Sequence, residues 1–430
     1  MNKIVSPASL SGMLPVMPSK SASHRAVMLA ALCAGETELS PLQLSLDIEA
    51  TLQCAKALGL SAGVSIKPHA LPGFVKAKIK GGLTPERQPL RTLDCGESGS
   101  TLRFFIPLAL DGRGPVRFVG HGRLMQRPLD LYESLFRPLG VRWEQTEQDL
   151  IVEGSLTPGE YALRGDVSSQ FITGLLLALP QLPGDSVIRI TTPLESRAYV
   201  ELTRRVQKTF GIVSSWSQDN QTLYIPGHQT PVSPGHAHVE SDWSHAAFYL
   251  TAGTIGSSGP ITLTGLDADS AQGDRAMVDI LRDMGAIIRR QGDTLTICPS
   301  RLHALSVDAS QIPDLVPILA VAMAAANGES RITGASRLRI KESDRLSAMH
   351  AALTAAGADV AELPDGLIIR GGKALHAAAI DGCNDHRIVM AMAVASAIST
   401  GDFIITDAQA AAKSAPAFWQ EFESLGGKAR

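Results

Sequence analysis

The chain has 430 residues, and its 39 Lys+Arg against 42 Asp+Glu leave a formal net charge of -3, which gives no general attraction to nucleic acid or to an anionic membrane. Aromatic residues make up only 5%, too few for the stacking platforms of a single-strand nucleic-acid binder. The length suits two domains of about 200 residues each, and five scattered cysteines without CxxC spacing argue against a disulfide framework or a zinc site and for a reducing cytoplasm.

The first residues, MNKIVSPASLSGMLPVMPSK, lack both the apolar core of a signal peptide and the Arg-rich character of a transit peptide. The longest apolar runs, FITGLLLALP and DLVPILAVAMAAA, are too short to span a bilayer, so a soluble protein with no membrane partner is expected.

From there one unit recurs six times: a polar start, an apolar helix, a Gly-containing turn and a short β-branched strand. The copies begin at Ser23, Ser98, Ser168, Asp242, Asp314 and Asp385, spaced by roughly 70 to 76 residues. After each comes a second, amphipathic helix that ends in Gly, from IEATLQCAKALGL in the first copy to PAFWQEFESLGG in the last. Hairpins follow in several copies, as in GAIIRRQGDTLTICP and GADVAELPDGLIIRG. Each unit reads as β-α-β-α-β-β, an α/β class.

The first helix of each unit is apolar nearly all round, which places it inside its domain. Three such helices packed in parallel would bring their N-termini, with unpaired N–H groups and positive dipole ends, to one end of a domain, and six facing one cleft would attract anions. Basic residues stand near these starts: Arg25, Arg103, Arg387 and, just upstream of the first, Lys20. A cation there opposes the helix dipole, so it points to a ligand rather than to a stability cap. The Pro-, Gly- and His-rich run YIPGHQTPVSPGHAHVESD marks one domain crossing, and MPSKS the other. The expected domains are a discontinuous one, 1–19 with 240–430, carrying repeats four to six, and 20–239 with repeats one to three. A hinge is expected at both crossings.

Several short motifs carry chemistry. SKSASHR sets Lys20, Ser21 and Arg25 at a loop-to-helix junction suited to a phosphate or carboxylate, though it lacks the Gly spacing of a P-loop. GESGSTLR combines small residues that let backbone amides approach a ligand with Arg103 a turn later, where a pairing with Glu97 or Asp94 is the plain alternative. SSQ, from Ser168, offers neutral donors. RIKESDRL gathers Lys341, Glu342, Asp344 and Arg345 at the start of a second-type helix, where a solvated charge run is the ordinary reading. NDHR adds His386 and Arg387. In PDLVP, Asp314 could serve only as an N-cap, but beside Lys20 and several arginines it becomes a carboxylate able to orient or deprotonate a hydroxyl. His236 and His238 have metal-like spacing but lie in the linker, and Cys95 and Cys383 read as small buried thiols.

Taken in order, SKSxSxR, GESGSTLR, RLMQRP, SSQF, SRAY, IPD, RIKESDRL and NDHR resemble the enolpyruvyl transferase family, and within it the 3-phosphoshikimate 1-carboxyvinyltransferases, or EPSP synthases. The resemblance spans essentially the whole chain. It implies a two-domain inside-out α/β barrel that closes around shikimate 3-phosphate and phosphoenolpyruvate, as a monomer and with no metal or organic cofactor. It also implies that Ser21, Arg25, Ser168, Ser169, Gln170, Ser196 and Tyr199 hold shikimate 3-phosphate, with Lys20, Asp314 and Lys341 reaching it too. Lys20, Gly99, Arg123, Gln170, Arg345, Arg387 and Lys413 would surround phosphoenolpyruvate, the subsite in which the family binds glyphosate. Lys20, Asp314 and Glu342 would carry the proton transfers.

The chain departs from the family pattern at Glu97, Arg337 and Ala415. The sister transferase acting on UDP-N-acetylglucosamine is disfavoured because GHGRLMQRP contains no reactive Cys. The rival of another class is a non-enzymatic anion- or RNA-binding repeat scaffold.

Overall fold

Helices of two kinds alternate along the chain. A computed structural model describes residues 1–82 and 88–430, and in chain order its helices are α1 (Lys20–Leu32), α2 (Leu46–Ala57), α3 (Gly99–Ala109), α4 (Asp130–Phe136), α5 (Ser169–Ala178), α6 (Arg197–Thr209), α7 (Trp243–Ile255), α8 (Met277–Asp283), α9 (Val316–Ala325), α10 (Arg345–Ala355), α11 (His386–Ala395) and α12 (Phe418–Ser424). The odd-numbered helices are almost wholly buried, α11 along its entire length. Even-numbered α6, by contrast, buries only Val200, Leu202, Thr203 and Gln207 and keeps its charged face in water. Each even-numbered helix is followed by a glycine in the left-handed region, at Gly59, Gly140, Gly211, Gly285, Gly357 and Gly426. A side chain is disfavoured at such a φ, so the repeated Gly ends the helix and turns the chain into its hairpin.

The strands form six four-stranded sheets among the described residues, each with one parallel pair followed by two antiparallel pairings. In the second repeat, for example, Arg91–Asp94 runs parallel to Val116–Val119, which pairs antiparallel with Asp149–Glu153 and through it with Arg142–Gln145. The chain divides into two compact units, Met1–Ser19 with Glu240–Arg430, and Lys20–Val239.

Three repeats are not contiguous in the chain, which the repeat pattern alone did not reveal. The first takes its parallel strand from His236–Ala237, paired with Glu38 and Leu39. The fourth takes its own from Leu10–Pro15, paired with Ser257–Thr264. In the sixth, Lys3–Ser6 lies between Phe403–Ile405 and Lys428–Ala429. Both strands of the N-terminal segment are therefore built into sheets of the C-terminal half, and that is why the first unit is discontinuous. The two crossing segments also pair with each other, Ser19 N–H donating to Glu240 O (2.7 Å) and Asp242 N–H to Met17 O (2.8 Å). Among the described residues no helix is long and apolar enough to cross a membrane.

Candidate active site

In the unit Lys20–Val239 the site residues gather at the starts of α1, α3 and α5. Lys20 is the first residue of α1 rather than upstream of it, and its Nζ lies 2.9 Å from Asp47 Oδ2 at the start of α2. One turn on, the buried Arg25 guanidinium donates from Nε to Thr203 Oγ1 (2.7 Å), from Nη1 to Ser21 O (2.7 Å) and from Nη2 to Tyr199 O (3.1 Å) and Thr173 Oγ1 (3.3 Å). It also packs over the Phe104 ring, 5.2 Å from the centroid. These partners are all neutral, and burial lowers the group to about 10. A buried cation held only by hydroxyls and carbonyls keeps its charge available for an anion.

Beside it Ser168 caps α5 by accepting from Gln170 N–H (3.3 Å), and Ser98 caps α3 by accepting from Thr101 N–H (3.2 Å). The Gln170 amide is fixed at both ends: Oε1 accepts from Arg103 Nη1 (2.7 Å) and Nε2 donates to Ser100 Oγ (3.0 Å). Arg103 therefore turns to Gln170 and to Pro128 O, while Asp94 accepts from Gly96 N–H and lies by His121. A Cβ at Gly99 would come within 2.8 Å of Arg127 Nη1, 3.1 Å of Arg103 Nη1 and 3.4 Å of Gln170 Oε1, so it is the lack of a side chain at Gly99 that lets these three polar ends gather against the start of α3. Ser169, the first residue of α5, is buried, and Ser196, with φ 54°, precedes α6 without capping it through its side chain. Arg123 is not among the three groups nearest Gly99. It is exposed ahead of Leu124–Gln126, and buried Arg127, four residues on in the same RLMQRP run, lies against Gly99 instead.

In the other unit the residues form a guanidinium–carboxylate lattice. Arg345, the first residue of α10, donates from Nε to Asp385 Oδ2 (2.8 Å), from Nη1 to Asp314 Oδ1 (3.0 Å) and from Nη2 to Glu342 Oε2 (2.8 Å). Arg387 donates from Nη2 to Asp314 Oδ2 (2.9 Å) and from Nη1 to Asp314 O (3.0 Å). Asp314 thus does not cap α9. It sits in a short 3₁₀ turn, Pro313–Leu315, with both carboxylate oxygens on arginines. Burial would push its carboxyl up, but Arg387, then Arg345 and Lys341, hold it well below the ordinary carboxylate range. Burial also lowers the Lys341 amine to about 8, against the opposing pull of Asp314. Lys413 Nζ donates to Asn384 O (2.6 Å), which ties Lys413 to the turn ahead of α11.

Sequence reasoning did not single out Asp47, Arg127 or Asp385. Asp385 lies inside the NDHR motif, whose His and Arg drew attention, yet its carboxylate caps α11 through Arg387 N–H (2.9 Å), accepts from Ser343 Oγ (3.0 Å) and holds Arg345. Of the departures, Arg337 is buried and donates to Ser310 O, and the Glu97 carboxylate lies against Gly122. Among the described residues no group of three or more His, Cys, Asp or Glu is placed to hold a metal ion.

The family model described as EPSP synthase (3-phosphoshikimate 1-carboxyvinyltransferase) matches residues 4–422. The chain is 43% identical over 426 residues to the 3-phosphoshikimate 1-carboxyvinyltransferase of Clostridium novyi, covering 98% of this chain and 96% of that one. It is 40% identical to that of Clostridioides difficile, with 98% and 97% covered. Among solved structures, the EPSP synthase of Acinetobacter baumannii superposes with a TM-score of 0.79 at 25% identity over the full length of both chains. The enolpyruvyl transferase NikO of Streptomyces tendae shares the fold, with a TM-score of 0.80 at 16% identity, over 100% of this chain and 98% of that one. Repeat architecture, motif order and these likenesses agree, and the chain belongs to the EPSP synthase (3-phosphoshikimate 1-carboxyvinyltransferase) family.

Proposed function

We propose that the chain transfers the enolpyruvyl group of phosphoenolpyruvate to the 5-hydroxyl of shikimate 3-phosphate, releasing phosphate, as a step of the shikimate pathway. The observation that carries this is the division of charge. The unit Lys20–Val239 holds a buried guanidinium, Arg25, on neutral partners, suited to a phosphate monoester. Met1–Ser19 with Glu240–Arg430 holds carboxylates on arginines, suited to moving protons beside a bound anion. Ser21, Ser168, Ser169, Gln170, Ser196 and Tyr199 join Arg25 in holding shikimate 3-phosphate, with Lys341 reaching its hydroxyls. Lys20, Gly99, Arg123, Arg345, Arg387 and Lys413 serve phosphoenolpyruvate.

In the addition, the 5-oxygen bonds to C2 of the enol while its proton leaves and C3 gains one. In the elimination, C3 loses a proton, the C2–O bond to phosphate breaks and the C2–C3 double bond re-forms. Asp314 serves the hydroxyl, Glu342 the methylene carbon and Lys20 the departing phosphate.

A carboxylate held as low as Asp314 is a weak base. Arg345 and Arg387, the groups that hold it low, are the same groups assigned to the phosphoenolpyruvate carboxylate. An arriving anion shares their charge and so raises Asp314 toward a useful range, which makes the base competent only when its reaction partner is seated.

The test is to incubate the protein with shikimate 3-phosphate and phosphoenolpyruvate and follow phosphate release. Release is expected. Release only with UDP-N-acetylglucosamine, or binding without turnover together with a steep salt dependence, would replace this reading with one of its rivals.

A further inference from the structure

Asp274 belongs to none of the motifs above and is almost fully buried, in a short 3₁₀ turn, Gly273–Ala276, ahead of α8. Its Oδ2 accepts from Ser244 Oγ near the start of α7, and its Oδ1 is out of water with no hydrogen-bond partner among the described residues. The charged groups around it are Asp314, Arg387 on α11, and Asp242, the N-cap of α7. Arg275, next in the same turn, is exposed and directed to Ala268 O. A buried carboxyl with one hydroxyl donor and two carboxylates for neighbours gains little from ionising.

We propose that Asp274 is a positioning residue for the anion subsite at Arg387: as a neutral acid it leaves the guanidinium charge to the ligand, and as a carboxylate it competes for it. The inference rests on the assignment of Arg387 to phosphoenolpyruvate. Burial first, then the Asp314 charge, pushes the Asp274 carboxyl up to about 7, whereas Arg387 and Ser244 pull it down. Asp314, sharing the same Arg387, is driven the opposite way, and carboxyls pushed apart in this manner take different roles.

The sign follows from like charges repelling. A bound anion raises the Asp274 carboxyl further, so by linkage the anion binds more tightly while Asp274 carries its proton, and affinity is lost as pH rises through about 7. Each unit by which binding raises the group corresponds to about tenfold in affinity.

The experiment compares wild type with Asp274→Asn, which keeps the shape and an acceptor for Ser244 but cannot ionise. KM for phosphoenolpyruvate and kcat are measured from pH 6 to 9. The expected result is a rise of about tenfold in wild-type KM across that range and a KM step flattened in the variant, with kcat changed by less than about threefold. The titration of phosphoenolpyruvate itself is common to both proteins and cancels. An unchanged KM step in Asp274→Asn, or a collapse of kcat at every pH, would overturn the proposal, the latter by making Asp274 a proton donor.

Should Asp274→Asn not fold, Ser244→Ala removes the hydroxyl donor to Oδ2 and should move the KM step to higher pH. A step that stays in place overturns the proposal equally. Wild-type phosphate release separates the two levels, since its absence sinks the assigned reaction, whereas turnover with an unmoved step sinks only the role of Asp274.

Discussion

Arg345 and Arg25 are both guanidiniums taken almost completely out of water, one in each unit, and their neighbours differ in kind. Arg345 is held by Asp385, Asp314 and Glu342, and although burial opposes its charge, Asp385 and then Glu342 raise it above its ordinary value. Arg25 is held by Thr203, Thr173 and two backbone carbonyls, and burial lowers it. A buried charge with counter-charges is part of the fold's own electrostatics, while a buried charge with only neutral partners is an unfinished ion pair. The first arrangement favours proton chemistry, because every carboxylate in it responds when an anion draws on the arginines. The second favours binding, because the missing partner is the ligand.

The most damaging test of the comparison is Asp314→Ala. It should lower kcat by about a thousandfold, within the range of general acid–base catalysis, and change phosphoenolpyruvate affinity much less. Steady-state phosphate release measures both, and an unchanged kcat removes Asp314 from the proton pathway.

Next in size is a pair of matched substitutions. Arg345→Met strands Asp385, which is fully buried, and should destabilise its unit by about 3–5 kcal/mol, whereas Arg25→Met, which strands no carboxylate, should cost its unit about 1 kcal/mol or less. Native-state hydrogen exchange, read separately on peptides from each unit, gives the two values. Equal losses would erase the distinction drawn between the two cations.

Arg25→Met should at the same time weaken shikimate 3-phosphate binding by about a hundredfold, the scale of a truncated buried charge contact, which titration calorimetry would show. The smallest effect is expected from Gly99→Ala. The new methyl meets the end of the Arg127 side chain, which can yield, so KM for phosphoenolpyruvate should rise several-fold with kcat nearly kept. A KM that does not move would mean that Gly99 does not border the phosphoenolpyruvate subsite.

The repeat was legible in the chain because its two signals are local: an apolar helix all round, and a glycine after the amphipathic helix that follows. All six of those glycines adopt the left-handed φ that the pattern implies. Strand partners were not legible, since Lys3–Ser6, Leu10–Pro15 and His236–Ala237 are short and nothing in so few residues says which distant edge they complete. The cations of the site announced themselves by standing where a helix start disfavours them. Asp314, Glu342 and Gln170 were legible as parts of motifs, but Asp385, Asp47 and Asp274 were not, because they acquire meaning only from tertiary contacts. Asp385 in particular stood only as the start of the sixth repeat, whereas it both caps α11 and holds Arg345.

The scattered strands also impose an order on synthesis. Residues 20–239 emerge as one stretch, and once His236–Ala237 is out to pair with Glu38 and Leu39 that unit has all its strands and can fold while the ribosome is still translating. The first nineteen residues must wait. Leu10–Pro15 has no partner until Ser257–Thr264 appears, and Lys3–Ser6 is enclosed only when Lys428–Ala429 has left the tunnel. The segment carrying Lys3–Ser6 is thus among the last to find its place, and a nascent chain stalled before Lys428–Ala429 has emerged would carry an unclosed edge in that sheet.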